Sequence, residues 1–139
     1  MAKRKCLAVG EFVSKPDQNT RKRILVFDDD RMTLAMAKDL LIKDFEVDTT
    51  TSILEFNRYL YSRTPPDVIL IDVVMPLLDG PSVIGVIRKD KALADIPVVL
   101  ISAKPDLELA ALAESYGVDG YLSKPLTREK LLRELAHHL

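Results

Sequence analysis

From Arg23 to the last residue the chain alternates short apolar runs with longer amphipathic stretches, and few folds accept that pattern. The runs are ILVF at 24–27, VILI at 68–71, PVVLIS at 97–102 and GYL at 120–122, with a weaker one at 45–49. They are rich in β-branched residues and bounded by Asp, Pro or Gly, as strands of a buried parallel sheet are. Between them apolar residues recur at helical spacing. The first helix is read from Met32, Ala35, Met36 and Leu40, and the second from Ile53, Phe56 and Leu60 behind a Ser52-x-x-Glu55 capping box. A third follows Gly80 and Pro81 with Val83, Ile84 and Ile87; a fourth spans 106–116 and stops at Gly117. The fifth begins at Thr127 and aligns Leu131, Leu132 and Leu135. Five strands alternating with five helices predict an α/β protein whose doubly wound, five-stranded parallel sheet is covered on both faces.

Size and charge narrow the class. A chain of 139 residues suits one domain, and the lone Cys6 excludes an internal disulfide. No uncharged run exceeds eight residues, too short for a membrane span, and no apolar stretch follows Lys3, Arg4 and Lys5 to make a secretory signal. The expectation is a cytoplasmic domain without membrane contact. The net charge of −1 hides an asymmetry: residues 1–23 carry seven Lys/Arg against Glu11 and Asp17, and the remainder is −6. Residues 1–22 are therefore read as a basic leader and 23–139 as the folded domain. The acidic body argues against direct DNA binding.

In a doubly wound sheet, ligands bind at the carboxyl ends of the strands where the strand order reverses. Asp28, Asp29 and Asp30 follow the first run, Asp72 the third, Ser102 and Ala103 close the fourth, and Lys124-Pro125 follow the fifth. The second strand ends only in Thr. Asp30 reads best as a helix N-cap. Three carboxylates drawn together repel one another unless a cation lies between them, and Mg²⁺ suits such oxygen ligands while leaving room for phosphate. Lys124 supplies a point charge for phosphoryl oxygens, Ser102 a hydroxyl donor, and an Asp carboxylate can act as nucleophile. The set points to phosphoryl transfer onto an aspartate, with a metal offsetting charge. His137 and His138 project about 100° apart on a helix and are not read as a metal pair.

The segments ILVFDDD (24–30), VILIDVVMPLLDG (68–80), VVLISA (98–103) and GYLSKP (120–125) resemble the receiver domain of two-component response regulators, of the chemotaxis type. The likeness covers about 22–139, with Asp29, Asp72, Ser102 and Lys124 spaced 43, 30 and 22 residues apart. It implies a flavodoxin-like fold with strand order 2-1-3-4-5. It makes Asp72 the phosphoacceptor, and it makes Asp29, Asp72 and the backbone carbonyl of Val74 direct Mg²⁺ ligands, with Asp28 acting mainly through a metal-bound water. Ser102 becomes the switch hydroxyl, Lys124 the phosphate-contacting lysine and Tyr121 the rotameric aromatic, and the Lys124–Pro125 peptide is implied to be cis. The implied partners are a sensor histidine kinase or phosphotransfer protein, and a downstream target that reads the fourth helix, fifth strand and fifth helix, roughly 103–139. On that face Leu109, Ala113 and Tyr116 are read as packing. Such a domain is not an enzyme in the ordinary sense, since it catalyses only its own phosphorylation and dephosphorylation.

Two neighbours of the site bear on phosphoryl lifetime. Apolar Val74 cannot orient an attacking water and Lys104 can shield the phosphoryl group, so slow self-dephosphorylation is expected. The resemblance leaves room for a phosphorylation-dependent dimer. However, the subgroup that dimerises through this face and binds DNA has two acidic residues before the aromatic, where this chain has Val118-Asp119-Gly120-Tyr121. The fifth helix is expected to close at Leu139, which suits a stand-alone receiver or one cut from a larger regulator. Two other readings compete. The stretch 27–32 resembles the Asp-x-Asp motif of haloacid-dehalogenase-like phosphatases, though Met32 stands where that motif wants Thr or Val. Alternatively the fold serves as an interaction module that is never phosphorylated.

Overall fold

The computed structural model describes residues 21–139 apart from 73 and 76–78. The expected leader over 1–22 therefore falls, except for Arg21 and Lys22, outside the described residues. Strands β1 (Arg23–Phe27), β2 (Glu46–Thr50), β3 (Val68–Asp72), β4 (Val98–Ser102) and β5 (Gly120–Ser123) alternate with helices α1 (Arg31–Leu41), α2 (Ile53–Leu60), α3 (Gly80–Lys89), α4 (Asp106–Tyr116) and α5 (Arg128–Ala136). All strand pairs are parallel, in the order β2-β1-β3-β4-β5. This is the flavodoxin-like order expected, and it reverses between β1 and β3.

The register sets the strand ends nearly level. Phe27 pairs with Thr50 and with Ile71, Asp72 with Ile101, and Ser102 with Ser123. The residues just past β1, β3, β4 and β5 therefore converge on one edge of the sheet. Side chains alternate across the sheet with a period of two. Ile24, Val26, Val68, Leu70, Val99 and Ile101 pack on α1 and α5. Leu25, Phe27, Ile69, Ile71, Val98 and Leu100 pack on α2, α3 and α4. Leu109 and Ala113 are buried in this second layer with Tyr116 against them, which supports reading them as packing.

One helix face departs from expectation. The stripe of Met32, Ala35 and Met36 faces solvent, with Met32 75% exposed, and α1 instead buries Thr33, Leu34, Ala37 and Leu41. Both sets repeat at three to four residues, so periodicity alone accepts either. The Asp30 cap fixes where α1 begins, and its fit on β1 and β2 selects the Leu34–Leu41 stripe.

The opposite edge of the sheet is held by two aspartates used alike. Asp67 N–H donates to the Arg23 carbonyl (2.7 Å) and its carboxylate accepts from Arg23 N–H (2.7 Å). Asp119 N–H donates to the Val98 carbonyl (2.9 Å), and its Oδ2 accepts from Val98 N–H (2.8 Å) and the Arg88 guanidinium (2.6 Å). Each joins two strands that are neighbours in space but distant in sequence. Asp119→Ala leaves the Val98 amide without its acceptor. It is expected to lower stability by about 1–2 kcal/mol, read as a reduced denaturant midpoint. At its C-terminus α1 has no glycine: Arg21 donates to the carbonyls of Ile42 (3.1 Å) and Lys43 (2.7 Å), and Arg128 to that of Leu40 (2.6 Å).

Candidate functional site

At the carboxyl edge a single local device recurs at four strand ends. A polar side chain accepts a hydrogen bond from the backbone N–H two residues on: Asp28 from Asp30 (2.9 Å), Thr50 from Ser52 (2.9 Å), Asp72 from Val74 (2.9 Å) and Ser102 from Lys104 (3.0 Å). Such Asx and Ser/Thr turns satisfy loop amides that the ladder has released, and they lock the side chain's orientation. Thr50 is thus the residue at the second strand end whose part the sequence reading missed. Its carbonyl also accepts from Asp28 N–H (3.2 Å), which fixes the acidic residue to β2.

The turns leave one oxygen of each buried aspartate for other work. Asp28 is wholly buried and Asp72 is 5% exposed. Carboxylate oxygens of Asp28, Asp29 and Asp72 all lie within 4.8 Å of one another. Lys124 Nζ stands 2.9 Å from Asp28 Oδ2 and 3.4 Å from Asp72 Oδ2. The 2.9 Å contact makes the Lys124 ammonium the partner of the buried Asp28 Oδ2. Burial, reinforced by the charge of Asp72, raises the Asp28 carboxyl above the usual carboxylate range despite the Lys124 ammonium. Burial acts to depress Lys124, but Asp28 and Asp72 outweigh it and hold its pKa above the ordinary lysine value. One ammonium therefore serves the two buried members of a cluster of three carboxylates. A hard divalent cation fits that donor set.

Asp30 belongs to the helix instead. Its carboxylate accepts from Met32 N–H (3.0 Å) and the Thr33 hydroxyl (2.8 Å), which together hold its pKa below the usual range. This is the N-cap role expected, and it removes the second acid an Asp-x-Asp phosphatase would need. Ser102 is buried at the end of β4, and Lys124 follows β5 with a cis Lys124–Pro125 peptide. An open cleft is lined by Asp72, Val74, Ser102, Ala103, Lys104 and Lys124. Tyr121, partly exposed on β5, is not among the residues that line this cleft.

Two contacts near the site were invisible in the sequence. Lys104 Nζ pairs with Glu108 Oε2 at 3.0 Å, one turn along the chain. Glu134 lies over Gly120, where a Cβ would collide with its carboxylate, and His138 Nε2 sits 2.9 Å from Glu134 Oε2. The glycine before Tyr121 is thus explained by what covers it. Spacing i to i+4 is a weak hint of the Lys104–Glu108 and His138–Glu134 pairs; nothing local signals that Glu134 covers Gly120.

The doubly wound sheet defines a domain of the flavodoxin-like class, with an acidic cluster at its switch-point edge that could hold a cation. Among the described residues no helix is long and apolar enough to cross a membrane. The family model for the response regulator receiver domain matches residues 24–136. Protein PilG of Pseudomonas aeruginosa is 31% identical over 123 residues, covering 88% of this chain and 90% of PilG. The transcriptional regulatory protein PrrA of Mycobacterium leprae is 36% identical, but the chain spans only 46% of its length. Among solved structures, chemotaxis protein CheY4 of Vibrio cholerae has a TM-score of 0.75 at 26% identity, over 86% of this chain and 99% of that one. The chain belongs to the response regulator receiver family. It is a receiver domain of two-component regulators, a signalling domain and not a conventional enzyme.

Proposed function

We propose that Asp72 accepts a phosphoryl group from a sensor histidine kinase, a phosphotransfer protein or a small phosphodonor, and that this changes the α4-β5-α5 surface read by a downstream target. The observation that carries the reading is Asp72 itself, a nearly buried carboxylate at the end of a fully apolar strand. Its Oδ1 is engaged by Val74 N–H and its Oδ2 faces Lys124. A carboxylate buried there is costly unless it is partnered, and one amide and one ammonium hold it in place. In the transfer, Oδ2 attacks phosphorus in line as the bond to the donor's nitrogen or oxygen breaks, and the donor keeps that electron pair. Lys124 moves from the carboxylates to the phosphoryl oxygens, and the Ser102 hydroxyl donates to another. Tyr121 then turns into the space Ser102 leaves. The two conformations must differ in affinity for the phosphoryl group for this to act as a switch. Residues 23–139 form the receiver unit in this reading, and 1–22 a basic leader outside it.

Asp29, Asp72 and the Val74 carbonyl would hold Mg²⁺, with Asp28 reaching it through water; when bound, the ion offsets negative charge on the transferring group. Three crowded carboxylates served by one ammonium predict that Mg²⁺ stabilises the fold. At ten times its dissociation constant the gain is about 1.4 kcal/mol, a Tm rise of about 3–6 °C. Differential scanning calorimetry with and without Mg²⁺ reads it, and Asp29→Ala is expected to abolish most of the rise. An unchanged Tm at high Mg²⁺ contradicts the assignment.

Val74 is exposed at the rim of the cleft and offers no hydrogen bond to a water approaching phospho-Asp72. Val74→Asn is expected to speed hydrolysis about tenfold, the effect of one well-placed hydrogen bond. Decay followed by intact mass after removal of donor measures it. An unchanged rate removes Val74 from the control of lifetime.

A further inference from the structure

The cleft holds two ammonium groups with different commitments. Lys124 is shared between Asp28 and Asp72, inside the site. Lys104 lines the same cleft but is held from outside it, by Glu108 in the first turn of α4 (3.0 Å). Lys104 carries a second tether, because its N–H donates to Ser102 Oγ at 3.0 Å. Two attachments of the β4–α4 loop therefore end on one residue. One is the hydroxyl assigned to the phosphoryl group, and the other is a carboxylate that competes with it for a cation. The Lys104 and Glu108 side chains are 36% and 53% exposed, so the pair is weak enough to be exchanged.

Resting on the assignment of Asp72 as phosphoacceptor, we propose that Glu108 is a positioning residue that draws Lys104 off the phosphoryl group and so shortens the life of phospho-Asp72. A phosphoryl group on Asp72 adds about two negative charges to the cleft that Lys104 lines. It competes with Glu108 for the Lys104 ammonium while Ser102 Oγ turns from the Lys104 amide to a phosphoryl oxygen. Hydrolysis needs water to reach phosphorus; the Asp72 oxygen–phosphorus bond breaks, its electron pair returns to the carboxylate, and inorganic phosphate leaves with the proton released by water. Lys104 seated on the phosphoryl oxygens obstructs that approach and stabilises the phosphorylated state. Glu108 opposes both effects from one helical turn away.

The test uses the full chain, loaded with phosphoramidate and Mg²⁺ and freed of donor, with phosphoprotein followed by intact mass. Glu108→Gln is expected to slow decay about twofold to fivefold, the range for losing an exposed ion pair. Glu108→Asp, which keeps the charge, is expected to stay nearer to wild type. Lys104→Met is expected to decay faster than wild type, and adding Glu108→Gln to it is expected to change nothing further. A wild-type rate for Glu108→Gln overturns the proposal, as does equal slowing in the Lys104→Met background or a wild-type rate for Lys104→Met. Failure of the phosphoacceptor assignment looks different: the wild-type chain then gains no phosphoryl group at all.

Discussion

Incubated with acetyl phosphate and Mg²⁺, the wild-type chain is expected to gain one phosphoryl group, and Asp72→Asn none. The difference is all-or-none because the amide of Asn has no carboxylate oxygen to attack phosphorus, while its size and its ability to accept from Val74 N–H are kept. The substitution also removes one of three crowded carboxylates, so the variant is expected to fold at least as stably as wild type. Loss of phosphorylation therefore cannot be blamed on unfolding, and a thermal melt on the same sample checks this. EDTA is expected to block the gain in wild type if Asp29 and Asp72 hold the cation. A phosphoryl group retained in Asp72→Asn would move the acceptor elsewhere. No gain with any donor or kinase would favour the interaction-module reading of this receiver.

Phe56→Ala is expected to give the largest loss of stability. Phe56 is fully buried on α2 and its ring stacks on Phe27, with centroids 4.6 Å apart. Truncating a buried Phe costs about 3–5 kcal/mol through lost transfer energy and the cavity left behind. Domains of this kind have about 5–15 kcal/mol in total, so the variant approaches the limit of folding. Phe27 directly precedes Asp28, so slack in this layer reaches the acidic pair, and phosphorylation should slow before the fold is lost. Denaturant unfolding measures the first effect and the acetyl phosphate assay the second. Leu54→Ala, two residues away and largely exposed, is the control and should cost less than about 0.5 kcal/mol. A loss under about 1 kcal/mol for Phe56→Ala would mean that the core around β1 and β3 is not packed as described.

Much of the fold was legible because buried parallel strands are almost uniformly apolar. The runs at 24–27, 68–71, 97–102 and 120–122 each fall within one residue of a strand's bounds. Asp30, Ser52, Thr127 and Gly117 ended helices as read, since capping depends on a few neighbouring residues. The site residues were legible for a related reason: Asp28, Asp72, Ser102 and Lys124 break apolar runs at their ends, and parallel strands bring like ends together. The polar clamps were not legible. Asp119 meets Arg88 across 31 residues and Arg128 meets Asp44 across 84, and charged residues on the surface carry no mark of their partners. The exposed Met32 and Met36 stripe shows the same limit on a helix, since two stripes of equal period differ only in what they face.

By itself the sequence determined the order of strands and helices and the placing of polar groups at strand ends, because both follow from local periodicity and from the cost of burying polar groups. Only the tertiary structure decided which face of α1 is buried, and which oxygen of Asp72 is left free once Val74 N–H has taken the other. It alone decided that Lys124 lies between Asp28 and Asp72, and that Lys104 is held outside the cleft by Glu108. The helix face and the place of Lys124 depend on register and on distance between segments far apart in the chain, and the two local contacts depend on rotamer. They are fixed when the sheet closes and the helices pack on it, and local spacing hints only at the Lys104–Glu108 pair.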